Sequence, residues 1–180
     1  MKYNSFMDLV KSRRSIRRFK REEVPREMIE ACVEAARYAP SSCHTQAWRF
    51  IILAGALKER VVSEVLGGIV VPNRWAATAP VMVVLAVDMN LVTHRIGAKV
   101  KGIDYHLLDV GIAGEHFVLQ AAELGLGTCW IGWFDKKKLK KLVGIPRHWD
   151  VPAMIALGYP DEVPKEKHRK KLGELMEFKS

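Results

Sequence analysis

The sequence predicts a mixed fold of helices and strands in one domain, residues 1–180. Three observations predict it. Val81-Met82-Val83-Val84-Leu85-Ala86-Val87 is an unbroken apolar run of strand length, the pattern of a strand covered on both faces. Residues 25–38 and 56–66 repeat their apolar side chains at helical spacing. Residues 105–135 read as a long apolar helix, a glycine break and a short strand. A helix apolar on nearly every face lies in a large core or along a subunit contact. A chain of 180 residues buries roughly 70% of its unfolded surface, enough for one sizeable core. No repeat, low-complexity tract or linker divides it.

In chain order, Ser5 can cap a short helix reaching residue 13, with Phe6, Leu9 and Val10 as its buried side. The run Arg13-Arg14-Ser15-Ile16-Arg17-Arg18-Phe19 follows. Guanidinium forks and a serine hydroxyl suit phosphate oxygens, although a solvated basic turn or a non-specific nucleic-acid patch has the same composition. Pro25 opens the second helix, whose apolar side is Met28, Ile29, Cys32, Val33 and Ala36. Pro40 stops it. A polar loop, Ser41-Ser42-Cys43-His44-Thr45-Gln46, then leads into a strand over 48–53. Cys43 beside His44 is a poor thiol dyad, because neighbours on an extended chain face opposite ways.

Glycines and prolines around Gly67, Gly68, Pro72 and Asn73 mark a loop, and residues 75–78 a short helical piece. The connection 88–104 has room for one short helix. Gly111 and Gly114 permit close approach to the long helix, and Gly125 and Gly127 end it. Residues 128–133 form a strand, and Asp135 caps a lysine-rich helix over 136–143 whose basic first turn belongs in solvent. A last strand spans 151–157. The tail is basic and then apolar through Leu172, Leu175, Met176 and Phe178, too short for its own core.

Composition narrows the functional classes. No apolar run approaches the ~20 residues that cross a bilayer. The first 21 residues show no signal-peptide h-region, and three cysteines without CxxC spacing favour reduced thiols, so the expected location is the cytoplasm. A net charge of +9 implies anionic company, a phosphorylated ligand or nucleic acid. No helix-turn-helix, RNP or zinc pattern supports nucleic acid. His94, His106, His116, His148 and His168 lack metal-ligand spacing and read as surface or satisfied core residues, with no metal site expected. Gly125 and Gly127 imitate a dinucleotide fingerprint, but Trp130 stands at its third glycine and the segment follows a helix, so a Rossmann reading fails.

Three separated pieces together resemble the FMN-dependent nitroreductase family: Arg13-Arg14-Ser15-Ile16-Arg17, then residues 39–50, and then residues 124–132 with Ala156-Leu157-Gly158-Tyr159-Pro160. Their order and spacing cover nearly the whole chain. The resemblance implies an α+β, nitroreductase-like three-layer sandwich: a mixed central sheet flanked by helices, with a domain-swapped C-terminal arm. It also implies a homodimer with FMN at the subunit interface.

By the same resemblance, Arg13, Arg14, Ser15 and Arg17 hold the phosphate, ribityl chain and pyrimidine edge. Lys167 and Arg169 close on the phosphate. Pro40, Ser41 and Ser42 reach the partner's flavin, and Gln46 of the same loop is a further cofactor-binding residue. Trp130, Ile131 and Gly132 line the ring, with the N–H of Gly132 or Trp133 near N5. No side chain is assigned a catalytic role, because the flavin carries the chemistry. The implied activity is two-electron transfer by ping-pong from NADH or NADPH to a nitroaromatic, quinone or related small-molecule acceptor. The alternatives are a specialised reductase or dehydrogenase of the same fold, such as a dehalogenating or flavin-remodelling enzyme, and a basic nucleic-acid-binding domain. Two departures stand out: His44 replaces a common asparagine and Ala47 the usual proline. Asn73 stays outside the set because the register slips there. The short connection 88–104 implies an open site.

Overall fold

In a computed structural model, which describes residues 4–67, 73–91, 104–166 and 168–179, a four-stranded sheet carries helices on both faces. The strands are β1 (Trp48–Leu53), β2 (Val81–Asp88), β3 (Gly127–Ile131) and β4 (Trp149–Gly158), in the order β1-β2-β4-β3. All three pairings between them are antiparallel. Among the described residues, the parallel component of the expected mixed sheet is one bridge, Ser15 to Thr128, beyond the outer edge of β3. The helices are α1 (Phe6–Ser12), α2 (Arg26–Arg37), α3 (Gly55–Val65), α4 (Tyr105–Glu123) and α5 (Lys136–Val143).

The apolar run at 81–87 is buried along its whole length, as a strand covered on both sides requires. Its side chains alternate between two cores. Met82, Val84 and Ala86 join Val61, Val65 and Leu139 from α3 and α5. Val81, Val83, Leu85 and Val87 join Cys32, Ala36, Phe117 and Val118 from α2 and α4. β4 alternates the same way, with Met154 and Ala156 on one side and Ile155 and Leu157 on the other. The period of two along a strand therefore builds the three-layer sandwich directly.

Local signals set the ends of the elements. Ser5 Oγ accepts from Asp8 N at 3.2 Å and Asp135 Oδ1 from Lys138 N at 2.9 Å, so both caps form. Gly125, at φ +83°, closes α4, and Leu126 N then donates back to Ala121 O at 2.8 Å. Gly114 is needed for packing: a Cβ there would lie 2.2 Å from Cη2 of Trp130. The Trp130 indole thus rests against α4.

Two expectations need correction. α1 buries no residue: Phe6 is 68% exposed and Met7 55%. This seven-residue helix lies against α4, and among the described residues no further layer covers its apolar side. The outer face of α4 is open as well, through Leu107, Leu108 and Ile112. Also, residues 42–44 make a tight 3-10 turn where an extended chain was expected. Residues 92–103, where a short helix was possible, lie outside the described residues, as do His94, Gly68, Pro72 and Lys167.

Candidate functional site

The arginine run becomes a ledge along the free edge of β3. Ile16 N donates to Thr128 O and Lys20 N to Tyr159 O, both at 2.9 Å. Ile16 and Phe19 are buried, and Gly127 makes room for Ile16, since a Cβ there would sit 2.8 Å from its Cγ1. With these two apolar side chains drawn inward, Arg13, Arg14, Ser15 and Arg17 are left partly or fully exposed. The sequence already carries this division, because Ile16 and Phe19 punctuate an otherwise cationic run.

After β4 the chain returns along the ledge. Arg18 donates to Asp161 O through Nε at 3.0 Å and Nη2 at 2.8 Å, and Arg14 Nη2 donates to Lys165 O. One Glu162 carboxylate oxygen accepts from Arg17 N at 2.5 Å and Arg18 N at 3.2 Å. These bonds enclose a cavity of about 380 Å³ between the two ends of the chain. Arg13, Arg14, Ser15 and Arg17 line it from one side, Lys165 and Arg169 from the other, with Glu162 and Glu166 beside them. Cations outnumber carboxylates five to two, so the cavity is net positive. This donor set fits a phosphate dianion, which bidentate guanidinium groups and a hydroxyl can surround. Arg13 is also held from α4, by Glu115 at 3.7 Å. Burial pushes the Glu115 carboxyl above its usual value, offset only in part by Arg13 and His116.

A second group lies at the end of β3. Ile131 is buried, Gly132 is exposed, and Trp133 is 61% exposed. No atom of the described residues lies within 4 Å of a Cβ placed on Gly132, so their packing does not demand glycine there. An open backbone face next to a strand end is a surface on which a flat ring can lie. Trp130 offers such a ring mainly its backbone, since its indole is committed to Gly114. Asn73 braces this segment: its Nδ2 donates to Trp133 O at 3.0 Å while its Oδ1 accepts from Trp75 Nε1 at 3.2 Å. Arg17 sits over the Trp75 ring at 5.8 Å, linking the brace to the cationic ledge.

The third group, Pro40, Ser41, Ser42 and Gln46, does not line the cationic cavity of the same chain. Its loop holds Cys43, His44 and Gln46 at φ values of 51°, 55° and 46°. Left-handed backbone at non-glycine residues costs about 1–3 kcal/mol each and persists only where the surroundings enforce it. Here Ser41 Oγ accepts from Gln46 N at 3.1 Å, and His44 Nε2 meets Gln46 Nε2 at 2.8 Å. Asp109 of α4 accepts from both N and Oγ of Ser42, each at 3.0 Å. Sequence reasoning missed Asp109, Glu115, Glu162 and Lys165. The first two were visible as acids on a helix otherwise rich in apolar residues; the last two carried no local signal.

The nitroreductase family matches residues 10–159 of the chain. The chain belongs to that family. Among its relatives, a protein of Thermus thermophilus named NADH dehydrogenase is 29% identical over 183 residues, covering 87% of each chain. An FMN-dependent nitroreductase of Clostridium difficile superposes with a TM-score of 0.74 at 28% identity, over 94% of both chains. A nitroreductase-family protein of Streptococcus pneumoniae reaches a TM-score of 0.84 at 23% identity, over 97% of this chain and 100% of its own. As a member of the nitroreductase family the protein is an oxidoreductase with that family's α+β sandwich. No described helix is long and apolar enough to cross a membrane.

Proposed function

We infer that the protein is an FMN-dependent NAD(P)H oxidoreductase that works as a homodimer. It would pass two electrons, by a ping-pong sequence, from a nicotinamide to a nitroaromatic, quinone or related acceptor. The observation that carries this reading is the cavity in which Arg13, Arg14, Ser15 and Arg17 meet Arg169 across more than 150 positions of sequence. FMN would supply hydride acceptance and donation at its N5. The protein's part is to bind and to set electrostatics. Arg13, Arg14, Arg17 and Arg169 neutralise the phosphate, and cations near a reducible ring favour its anionic reduced form. Lys167 belongs to the same proposal by its place beside Arg169. Gly132 leaves the ring room to approach the backbone, and the N–H groups of Gly132 and Trp133 are its candidate donors.

The dimer is supported by open apolar surface. Phe6, Leu107, Leu108 and Ile112 are exposed on α1 and α4, as are Leu172, Leu175 and Phe178 of the tail. A second copy would cover these, and its Pro40, Ser41, Ser42 and Gln46 would complete the flavin site. An intracellular location is part of the same proposal, supported by three cysteines without CxxC spacing, a pattern that suits a reducing compartment.

The deciding experiment is an absorption spectrum of the purified protein, with added FMN, before and after NADH or NADPH. Flavin bands that bleach with a nicotinamide and recover with an acceptor are expected; a protein that takes up no flavin overturns the reading. The double variant Arg13→Ala, Arg169→Ala tests the phosphate assignment. Each lost charge-assisted contact removes ~1.5–3 kcal/mol, so FMN affinity should fall roughly 100-fold or more. Unchanged affinity would place the phosphate elsewhere.

A further inference from the structure

We propose that Asp109, on α4, is the positioning residue that holds the strained Ser41–Gln46 loop in its ligand-binding shape and fixes Ser42 as a hydrogen-bond acceptor. The inference rests on the flavin reading above for the identity of the ligand.

Two described contacts reach the loop from outside: the exposed Arg49 side chain of β1, whose Nη1 lies a long 3.4 Å from Gln46 O, and Asp109 of α4, which takes two bonds from Ser42 at 3.0 Å each. Three non-glycine residues in it adopt left-handed backbone, a conformation that relaxes unless something outside the loop opposes it. Among the described contacts, the bonds from Ser41 to Gln46 and from His44 to Gln46 lie within the loop and move with it. Asp109 is different, because it stands on a nineteen-residue helix packed into the core. Its Oδ1 takes both the N–H and the hydroxyl of Ser42, at 3.0 Å each. A carboxylate oxygen can only accept, so the Ser42 hydroxyl proton is committed to Asp109. What Ser42 can then show a ligand is its oxygen lone pairs. Its partner must be a donor, such as a ribityl hydroxyl or a ring N–H, and a carbonyl or phosphate oxygen placed there would be repelled. Asp109 therefore sets both where the loop lies and which polarity it presents.

The test compares wild type with Asp109→Ala and Asp109→Asn. The asparagine keeps a carbonyl oxygen able to accept, so it serves as the partial rescue and as the fallback if the alanine variant does not fold. Amide hydrogen exchange at Ser42, Thr45 and Gln46 reads the loop without any cofactor; amides of β2 serve as the internal control. Reconstitution with FMN reads the ligand. In Asp109→Ala, exchange at Ser42 should quicken by about tenfold or more with β2 unchanged, and FMN should bind roughly tenfold more weakly. Asp109→Asn should fall between the two. Unaltered exchange at Ser42 overturns the anchor. Faster exchange with unaltered FMN affinity overturns the positioning role. If wild type binds no FMN, the flavin reading and the ligand half of this inference fall together, while the exchange measurement still decides the anchor.

Discussion

Gly114 and Gly132 show how differently two glycines can be required. At Gly114 a side chain would meet the Trp130 indole at 2.2 Å, and Leu85 behind it at 3.3 Å. Overpacking of that kind costs about 1–3 kcal/mol, so Gly114→Ala should lower the urea midpoint accordingly. At Gly132 there is open space among the described residues. Gly132→Ala should change stability by no more than ~0.5 kcal/mol, yet weaken FMN binding, because the new methyl group occupies the face offered to the ring. A variant that binds FMN as wild type does would remove that face from the site. Glu115 gives a pH-dependent case. Its carboxyl is pushed up by burial in the folded chain, so the folded state holds that proton more tightly than the unfolded state does. The resulting stability is fully present below the ordinary carboxylate range and is lost as pH rises through the raised value. Glu115→Gln should therefore match wild type in melting temperature near pH 4 and exceed it near pH 7. A difference that shrinks or reverses as pH rises would contradict the assignment.

Among the elements, α2, α3, β1, β2, β4 and α5 were legible from periodicity, breakers and caps, within a residue or two at their ends. The loop at 41–46 was located correctly but its shape was not legible. Three left-handed residues without a glycine leave no local signature, and one contact that reaches the loop, from Asp109 to Ser42, comes from 67 positions away in sequence. The candidate site divides the same way. The arginine ledge was readable because its own residues carry the charge, whereas Glu162 acts through the chain's return after β4. α1 was readable as a helix, but its surroundings were not. Its apolar side promised burial and found none among the described residues, since periodicity tells which face is apolar and not which molecule covers it.

For the whole molecule, that uncovered surface becomes a measurement. Light scattering on a sizing column should give twice the chain mass. Ile112→Asp, on the open face of α4, should shift the protein toward the single chain and reduce FMN retention in step. A variant that remains double in mass would move the contact to another face. Elution of the wild-type protein at the mass of one chain would remove the homodimer altogether.

The two-sided strand at the centre has a consequence for how the protein comes apart. Successive side chains of β2 belong to opposite cores, so both α-helical layers rest on the same strand, and disruption of β2 uncovers both. Loss of either layer leaves half of the strand's side chains without cover and so weakens the support of the other layer. Heat or denaturant should produce a single cooperative transition, and the amides of β2 should be the last to trade their hydrogens with solvent.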